Sequence, residues 1–400
     1  MTERYEPGLR RPAGLVRRPD PGHDPILVAG IADEIRATGP ITFARFMERA
    51  LYDPERGYYA SGRRGPGRGS DFLTAPESHS IFGWTVAAQV EEVWERLGRP
   101  DPFTVREYGA GTGALAAGLV GGLARSGSAL RGVIRYRIAE RAPDRERQVR
   151  ERLAAVDAED VLEADDGRPI VGVVLANEVL DALPVHRVRA TGTGELRELF
   201  VALDASGRFA TLEQPPSTPE LARRLQREDI QLAPAQTAEV CLELDAWIAE
   251  AAAGLSRGLL LIIDYGHPAT ALYAPNRGSL LRAYVQHRVH DDPFVNVGRQ
   301  DLTAHVDLTA VEAATAAAGL EHLGTTTQAE FLTGLGAGEL LVALQTEPGV
   351  ELADYLEARS AMFRLLDPSA TGRFAILCFG RELPLEPLLR GLSFRLRRPS

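Results

Sequence analysis

FTVREYGAGTGAL, residues 103–115, decides the fold. Its apolar and β-branched opening reads as a short strand, and the alternating Gly109, Gly111 and Gly113 read as a turn. Ala114-Leu115 then open an apolar stretch at helical spacing. Glu107 completes the pattern E-x-G-x-G-x-G. Glycines in such a turn let backbone pass close to a ligand, and an acid before them accepts a hydrogen bond from an ammonium group. That combination points to S-adenosyl-L-methionine (SAM) as cofactor. Gly109, Gly111 and Ala114 also satisfy the dinucleotide pattern G-x-G-x-x-G/A, so the stretch by itself leaves both cofactors open.

Working outward, strands and helices alternate. The spacing predicts strands at 103–108, 133–140 and 170–176 and helices at 113–125, 143–155 and 178–182, the pattern of βαβ units on a parallel sheet. Later come a helix at 237–253, a strand at 258–264, a helix from about Thr309, and closing strands at ELLVAL (339–344) and FAILCFG (374–380). The fold class is therefore α/β, a mostly parallel, Rossmann-like sheet. Before it, apolar residues at helical spacing from Pro25 to Tyr52, broken at Gly39-Pro40, predict two helices, and a third runs from about Ser80 to Leu97. VHRVRA, ELRELFVALD and GRFATLE within 185–212 read as antiparallel ribbons inserted after a core strand. The expected division is a disordered extension (1–24), a helical N-terminal cap and lid (25–102), a cofactor-binding core (103–184), an inserted β-rich substrate region (185–235), and the rest of the core (236–400), carrying a substrate loop at 287–307.

Polar residues at the ends of apolar strands are the candidates for chemistry. Glu140 ends the strand VIRYRIAE, where an acid can accept both hydroxyls of a ribose; a solvated Glu beside Arg141 is the plainer reading. Asp165 follows the next helix, at a place suited either to an adenine-facing acid or to an ordinary turn. LANEVLDALPVHR (175–187) delivers Asn177, Glu178 and Asp181 at a strand's carboxyl end, where open α/β sheets bind ligands. If a helix starts there, Glu178 and Asp181 share a face and can hold a guanidinium by paired charge-assisted bonds. Asn177 capping that helix, with acids in its first turn, explains the same residues structurally. HRVHDDPFVNVGRQDLTAHVDLT (287–309) is dense in His287, His290, His305 and aspartates, but lacks a compact metal-ligand spacing. It reads as a loop closing over substrate, with Asp301-Leu302-Thr303 starting a short helix or turn. No G-x-S-x-G element or P-loop is present.

Composition narrows the class. The 400 residues are 44% hydrophobic, enough for a large core, and the formal net charge is −10, which argues against a nucleic-acid partner. Every one of the 45 basic residues is arginine, a sign of genomic base-composition bias and of a bacterial source. Cys241 and Cys378 lie far apart in apolar runs, so neither a disulfide framework nor a zinc site is expected. No apolar run approaches a membrane span, and the N-terminus lacks a signal-peptide core.

The blocks DFLTAPESHSIFG (71–83), REYGAGTG (106–113), YRIAERAPDRERQ (136–148), LANEVLDALPVHR (175–187), LLIIDYGH (260–267) and HRVHDDPFVNVGRQDLTAHVD (287–307) occur in the order seen in the MidA-like family of SAM-dependent methyltransferases. The chain resembles that family over roughly 25–380. The resemblance implies a class I methyltransferase core with an inserted substrate region, and its mitochondrial members are protein arginine methyltransferases needed for respiratory complex I assembly. It implies that Gly109, Gly111 and Gly113 approach the methionine part of SAM, with Glu107 before them, and that Glu140 binds the ribose. Asn177 and Glu178 would face the transferred methyl, and Thr74 and Glu77 would belong to a lid over the cofactor. The chain departs from the family pattern at Tyr108 and Ala110 and at Gly69-Ser70-Asp71-Phe72.

Methyl transfer is an in-line displacement at a sulfonium, so alignment is what the protein must supply. For an arginine acceptor, Glu178 and Asp181 would orient the guanidinium, and His287, His290 or His305 would take the proton. A small-molecule or peptide acceptor is the alternative, and a carboxylate acceptor would call on Arg187 and Arg189. Outside that class stand a non-catalytic assembly factor that keeps the fold as a binding module, and a dinucleotide-dependent oxidoreductase. The expected location is the cytoplasm of a bacterium, or the mitochondrial matrix in a eukaryote; a homodimer is compatible with the sequence.

Overall fold

The structure, a computed structural model, describes residues 21–59, 74–139, 144–275, 277–286 and 288–396. Glu140, His287, Asp71-Phe72 and residues 1–20 of the expected extension lie outside the described residues.

Asp24 starts the first helix, α1 (Pro25–Thr38), by accepting the N–H groups of Ile26 and Leu27, each at 3.1 Å. Gly39 ends it at φ +88°. Thr42 caps α2 (Phe43–Tyr52) through the Arg45 N–H. This pair buries its apolar faces, including Ile31, Phe46 and Leu51, in a core of its own. There Phe46 sits 5.4 Å from the Phe209 ring and 5.3 Å from that of Phe294. Each such aromatic pair contributes about 1 kcal/mol beyond its buried area, so α2 is fastened to two other parts of the chain.

Six strands form the central sheet: β1 (Phe103–Tyr108), β2 (Ile134–Ala139), β3 (Ile170–Asn177), β4 (Leu255–Asp264), β5 (Glu321–Thr327) and β6 (Ala375–Arg381). Their order is β5-β6-β4-β3-β1-β2. Neighbours from β4 through β3 and β1 to β2 are parallel, whereas β6 runs antiparallel to both β4 and β5. β3 alternates between two cores, Val173 and Leu175 on one side, Val174 and Ala176 on the other, as the pleat requires. The first side is covered by α3 (Ile81–Arg96), α4 (Ala114–Arg125) and α5 (Asp144–Ala154), the second by α6 (Leu244–Ala253) and α7 (Leu308–Ala317). From β1 the chain passes to β2 on one side and later to β3 on the other. The carboxyl ends of β1 and β3 therefore flank a topological switch point, where doubly wound sheets bind ligands.

The inserted ribbons are strands His186–Ala190, Leu196–Leu203 and Phe209–Gln214. Their sheet also takes in Ile41–Thr42 and Thr237–Val240, so segments on both sides of 185–235 share it. A separate three-stranded sheet joins Leu281–Val285 to Arg288–His290 and Asp301–Ala304.

Four local expectations are corrected. Residues 178–182 form no α-helix, only a 3-10 turn at Leu180–Ala182, because Glu178 takes φ +52°; the Asn177 cap reading falls with it. Asp301-Leu302-Thr303 is a strand. ELLVAL lies in a helix, Ala337–Thr346, since Glu, Leu and Ala favour helix and a short apolar run does not betray its period. The expected helix at 237–253 divides into the strand Thr237–Val240 and α6. β5, with glycine and threonines and few apolar residues, carried too weak a pattern to be read as a strand.

Candidate functional site

The turn after β1 repeats left-handed backbone: Gly109, Gly111 and Gly113 have φ of +65°, +57° and +81°, a conformation that costs side-chain-bearing residues about 1–2 kcal/mol each. Space is also closed. A Cβ on Gly109 would lie 2.8 Å from Val179 Cγ2, and one on Gly113 2.9 Å from the Val149 backbone. The turn lines a cavity of about 770 Å3 together with Glu107, Ala139, Thr74, Glu77 and Asn177. Glu107, 2% exposed, accepts the Tyr136 hydroxyl at 2.5 Å. Glu77 is bonded to the Thr112 hydroxyl and lies 3.5 Å from Arg152 Nη2, so it ties the short helix Ala75–Ser78 to the glycine turn; burial raises its pKa.

The same cavity continues past β3, where Glu178, Asp181, Tyr52, Tyr59, Tyr265, Tyr284, Asp301 and Thr303 line it. The chain leaving β3 is shaped by Asp264, the fully buried last residue of β4. Its Oδ2 accepts the N–H groups of Val179, Leu180 and Asp181 at 3.2, 2.9 and 3.3 Å, and its Oδ1 that of Tyr265 at 2.8 Å. Those donors favour the carboxylate, while burial and the acids Asp181 and Glu178 push its pKa up. Glu178 is pushed up to about 8 by burial and then by Asp181, against the Ala75 N–H and Asn177 that hold its charged form. Asp181 is raised to about 6 by burial, with the Tyr265 hydroxyl opposing. Tyr59 donates to Asp301 Oδ1 at 2.7 Å and Tyr52 to the Ala182 carbonyl at 3.0 Å. Asn177 Oδ1 and Asp181 Oδ1 are buried without a hydrogen-bond partner among the described residues, two acceptors that call for donors.

Thr74, Glu77, Glu107, Gly109, Gly111, Asn177, Glu178 and Asp181 thus meet around one cavity, while Gly113 closes the turn as the left-handed cap of α4. Other candidates lie elsewhere. Asp165 pairs with Arg106 at 2.7 Å and closes a turn on the Gly167 N–H. His290 pairs in register with Ala283, whose side packs into the core of α1 and α2, and does not line the cavity. His305 stands one layer behind Tyr265, with ring centroids 5.2 Å apart, and burial lowers its pKa to about 3. Arg187 and Arg189 pair with Glu239 and Glu213. Among the described residues no group of three or more His, Cys, Asp or Glu is arranged to hold a metal ion.

Sequence reading missed Asp264, the paired tyrosines and Arg145, which lines the cavity and donates to the Tyr59 carbonyl at 3.2 Å. An acid ending an apolar strand was a legible signal for Asp264, the same one that exposed Glu178.

The carboxylates at one end fit a cation. The glycine cradle, buried Glu107 and orphaned Asn177 oxygen at the other fit a nucleoside ligand with an ammonium group.

Comparison with known proteins agrees. The family model of S-adenosyl-L-methionine-dependent methyltransferases matches residues 85–326. A COG1565 superfamily member from Burkholderia thailandensis bound to S-adenosyl-homocysteine is 34% identical, with a TM-score of 0.82 over 92% of this chain and 94% of that one. The mitochondrial protein arginine methyltransferase NDUFAF7 of Mus musculus is 30% identical over 79% of this chain and 75% of its own. The homolog from Drosophila melanogaster is 28% identical over 94% and 89%.

Proposed function

We propose that this chain, which belongs to the family of S-adenosyl-L-methionine-dependent methyltransferases, methylates an arginine guanidinium of a protein. The observation that carries this reading is the acid end of the cavity, where Glu178, Asp181 and Asp301 gather among tyrosines and Asp181 Oδ1 has no partner among the described residues. A planar cation with several N–H donors satisfies such a wall. The curated relatives named as protein arginine methyltransferases support the substrate class.

SAM, when bound, supplies an electrophilic methyl group on a sulfonium. The glycine turn would hold the methionine part, as the family resemblance implies, Glu107 would accept a hydrogen bond from its ammonium group, and Glu77 fastens the Thr74 segment beside it. Asp181 and Asp301 orient the guanidinium so that one nitrogen aims at the methyl. Glu178, with a pKa of about 8, takes the proton that the methylated nitrogen loses, the role first given to a histidine. Proton acceptors work best when their pKa lies near the working pH. Tyr265 and the Asp264-bound turn fix Asp181. Arg187 and Arg189, the cations a carboxylate acceptor would call on, are engaged with Glu239 and Glu213 and do not line the cavity. Both cysteines are free thiols and no described helix is long and apolar enough to cross a membrane; bacterial cytoplasm, or the matrix in a eukaryote, is the proposed location.

The test is methyl transfer from labelled SAM to proteins of a cell extract, followed by hydrolysis to amino acids. Label recovered as methylarginine supports the reading. Label in lysine, in base-labile esters or only in small molecules would overturn it.

A further inference from the structure

The acceptor end of the cavity is one part of a longer face. In the sheet of Leu281–Val285 and Asp301–Ala304, Arg282 pairs with Thr303 and Tyr284 with Asp301. Leu281, Ala283, Leu302 and Ala304 turn into the core of α1 and α2, while Tyr284, Asp301 and Thr303 line the cavity. By alternation, Arg282 stands on the cavity face, and His305, just past the end of the second strand, sets its ring 5.2 Å from that of Tyr265, which lines the cavity.

Around this continuation the chemistry changes sign. The His305 ring stacks on His267 with centroids 5.3 Å apart, and Arg277 Nη2 lies 2.7 Å from His267 Nε2. The other bonds of Arg277 and Arg282 go to backbone carbonyls, of Ala271, Ser279 and Leu281. Neither guanidinium has a carboxylate partner among the described residues, in a chain whose 55 acids outnumber its 45 bases. The acid Asp307 caps α7 through the Ala310 N–H and makes no ion pair with either arginine among the described residues. Burial and then Arg282 lower the pKa of Arg277, and Arg277 and Arg373 add to burial in lowering that of His267. Two half-buried guanidiniums that repel each other and lack a counter-charge gain from an incoming anion.

We infer that the patch of Arg277, Arg282, His267 and His305 binds a carboxylate side chain of the acceptor protein, an Asp or Glu within about two to four residues of the target arginine in an extended segment. This rests on the arginine reading above and gives the acceptor a charge pattern: the arginine enters the acid cavity while its acidic neighbour lies on the basic patch.

The experiment is binding of fluorescent Ala/Gly peptides to the full chain saturated with S-adenosylhomocysteine. The peptides carry one arginine and, at each nearby position in turn, Asp, Asn or phosphoserine, with citrulline replacing arginine in a matched set. The best Asp peptide should bind about tenfold more tightly than its Asn counterpart, and the gap should narrow as salt is raised. In the Arg277→Gln/Arg282→Gln double variant the gap should fall below twofold, with S-adenosylhomocysteine binding as the check on folding. Arginine-dependent binding that ignores Asp would overturn the patch and leave the arginine reading standing. Asp-dependent binding indifferent to citrulline would support the patch and overturn the arginine reading. A preference confined to phosphoserine would overturn the carboxylate assignment, and binding of no peptide would overturn both.

Discussion

Asp264 Oδ2 accepts the Leu180 N–H at 2.9 Å, and through this bond the end of one core strand holds the turn that leaves the next. Glu178 and Asp181 bracket that turn. Asp264→Ala should leave several buried N–H groups unpaired and destabilise the protein by about 3 kcal/mol or more. Asp264→Asn, which keeps an accepting oxygen, should cost less. Denaturant unfolding measures both, and equal stability of all three proteins would show that the turn holds itself.

Glycine replacements in the cofactor turn should act on binding. Gly109→Ala and Gly113→Ala each place a Cβ within 3 Å of a neighbour at left-handed φ. Calorimetry with S-adenosylhomocysteine should show affinity falling at least tenfold. Glu77→Ala, which unties Thr112 and Arg152, should weaken it by a smaller factor.

Turnover should climb with pH. Asp181 must be ionised to hold a guanidinium and Glu178 to take up a proton, so log kcat/KM for an arginine substrate should rise with breaks near 6 and 8. Glu178→Gln should remove the upper break and lower kcat by about 10²-fold or more. A flat profile from pH 5 to 9 would exclude both assignments.

Stability should move the opposite way. Glu178 has an ordinary value of 4.5 and a folded value of about 8, so between those pH values the folded state binds more protons than the unfolded one. Stability then falls as pH rises through that window. Glu178→Gln should flatten this part of the curve, read as Tm from pH 5 to 8.

His290, whose Nδ1 accepts the Asp292 N–H away from the cavity, should tolerate His290→Asn with less than a threefold change in kcat/KM. A loss of 10²-fold would restore it as a proton acceptor.

VGVVLAN was legible because it is an apolar run ended by a polar residue, FTVREY because β-branched and aromatic residues lead into the glycine turn, and that turn because three left-handed positions in five residues favour glycine. Glu178 and Asp181 were legible as acids at the end of such a run. Their geometry was not: the φ of Glu178 is fixed by the Ile263 carbonyl, which accepts its N–H, and by the Asp264-bound turn, both far away in sequence. The histidines misled for a related reason. Their spacing records composition, whereas the register that sends His290 toward the N-terminal core depends on a partner strand.

The left-handed backbone at Glu178 has a consequence for laboratory evolution. At φ +52° glycine would sit with less strain than glutamate, so a library selected only for heat resistance should accumulate Glu178→Gly. Such winners would keep the cavity and its cofactor while losing the carboxylate assigned to the proton. Selection for robustness and selection for turnover should therefore diverge at this one codon.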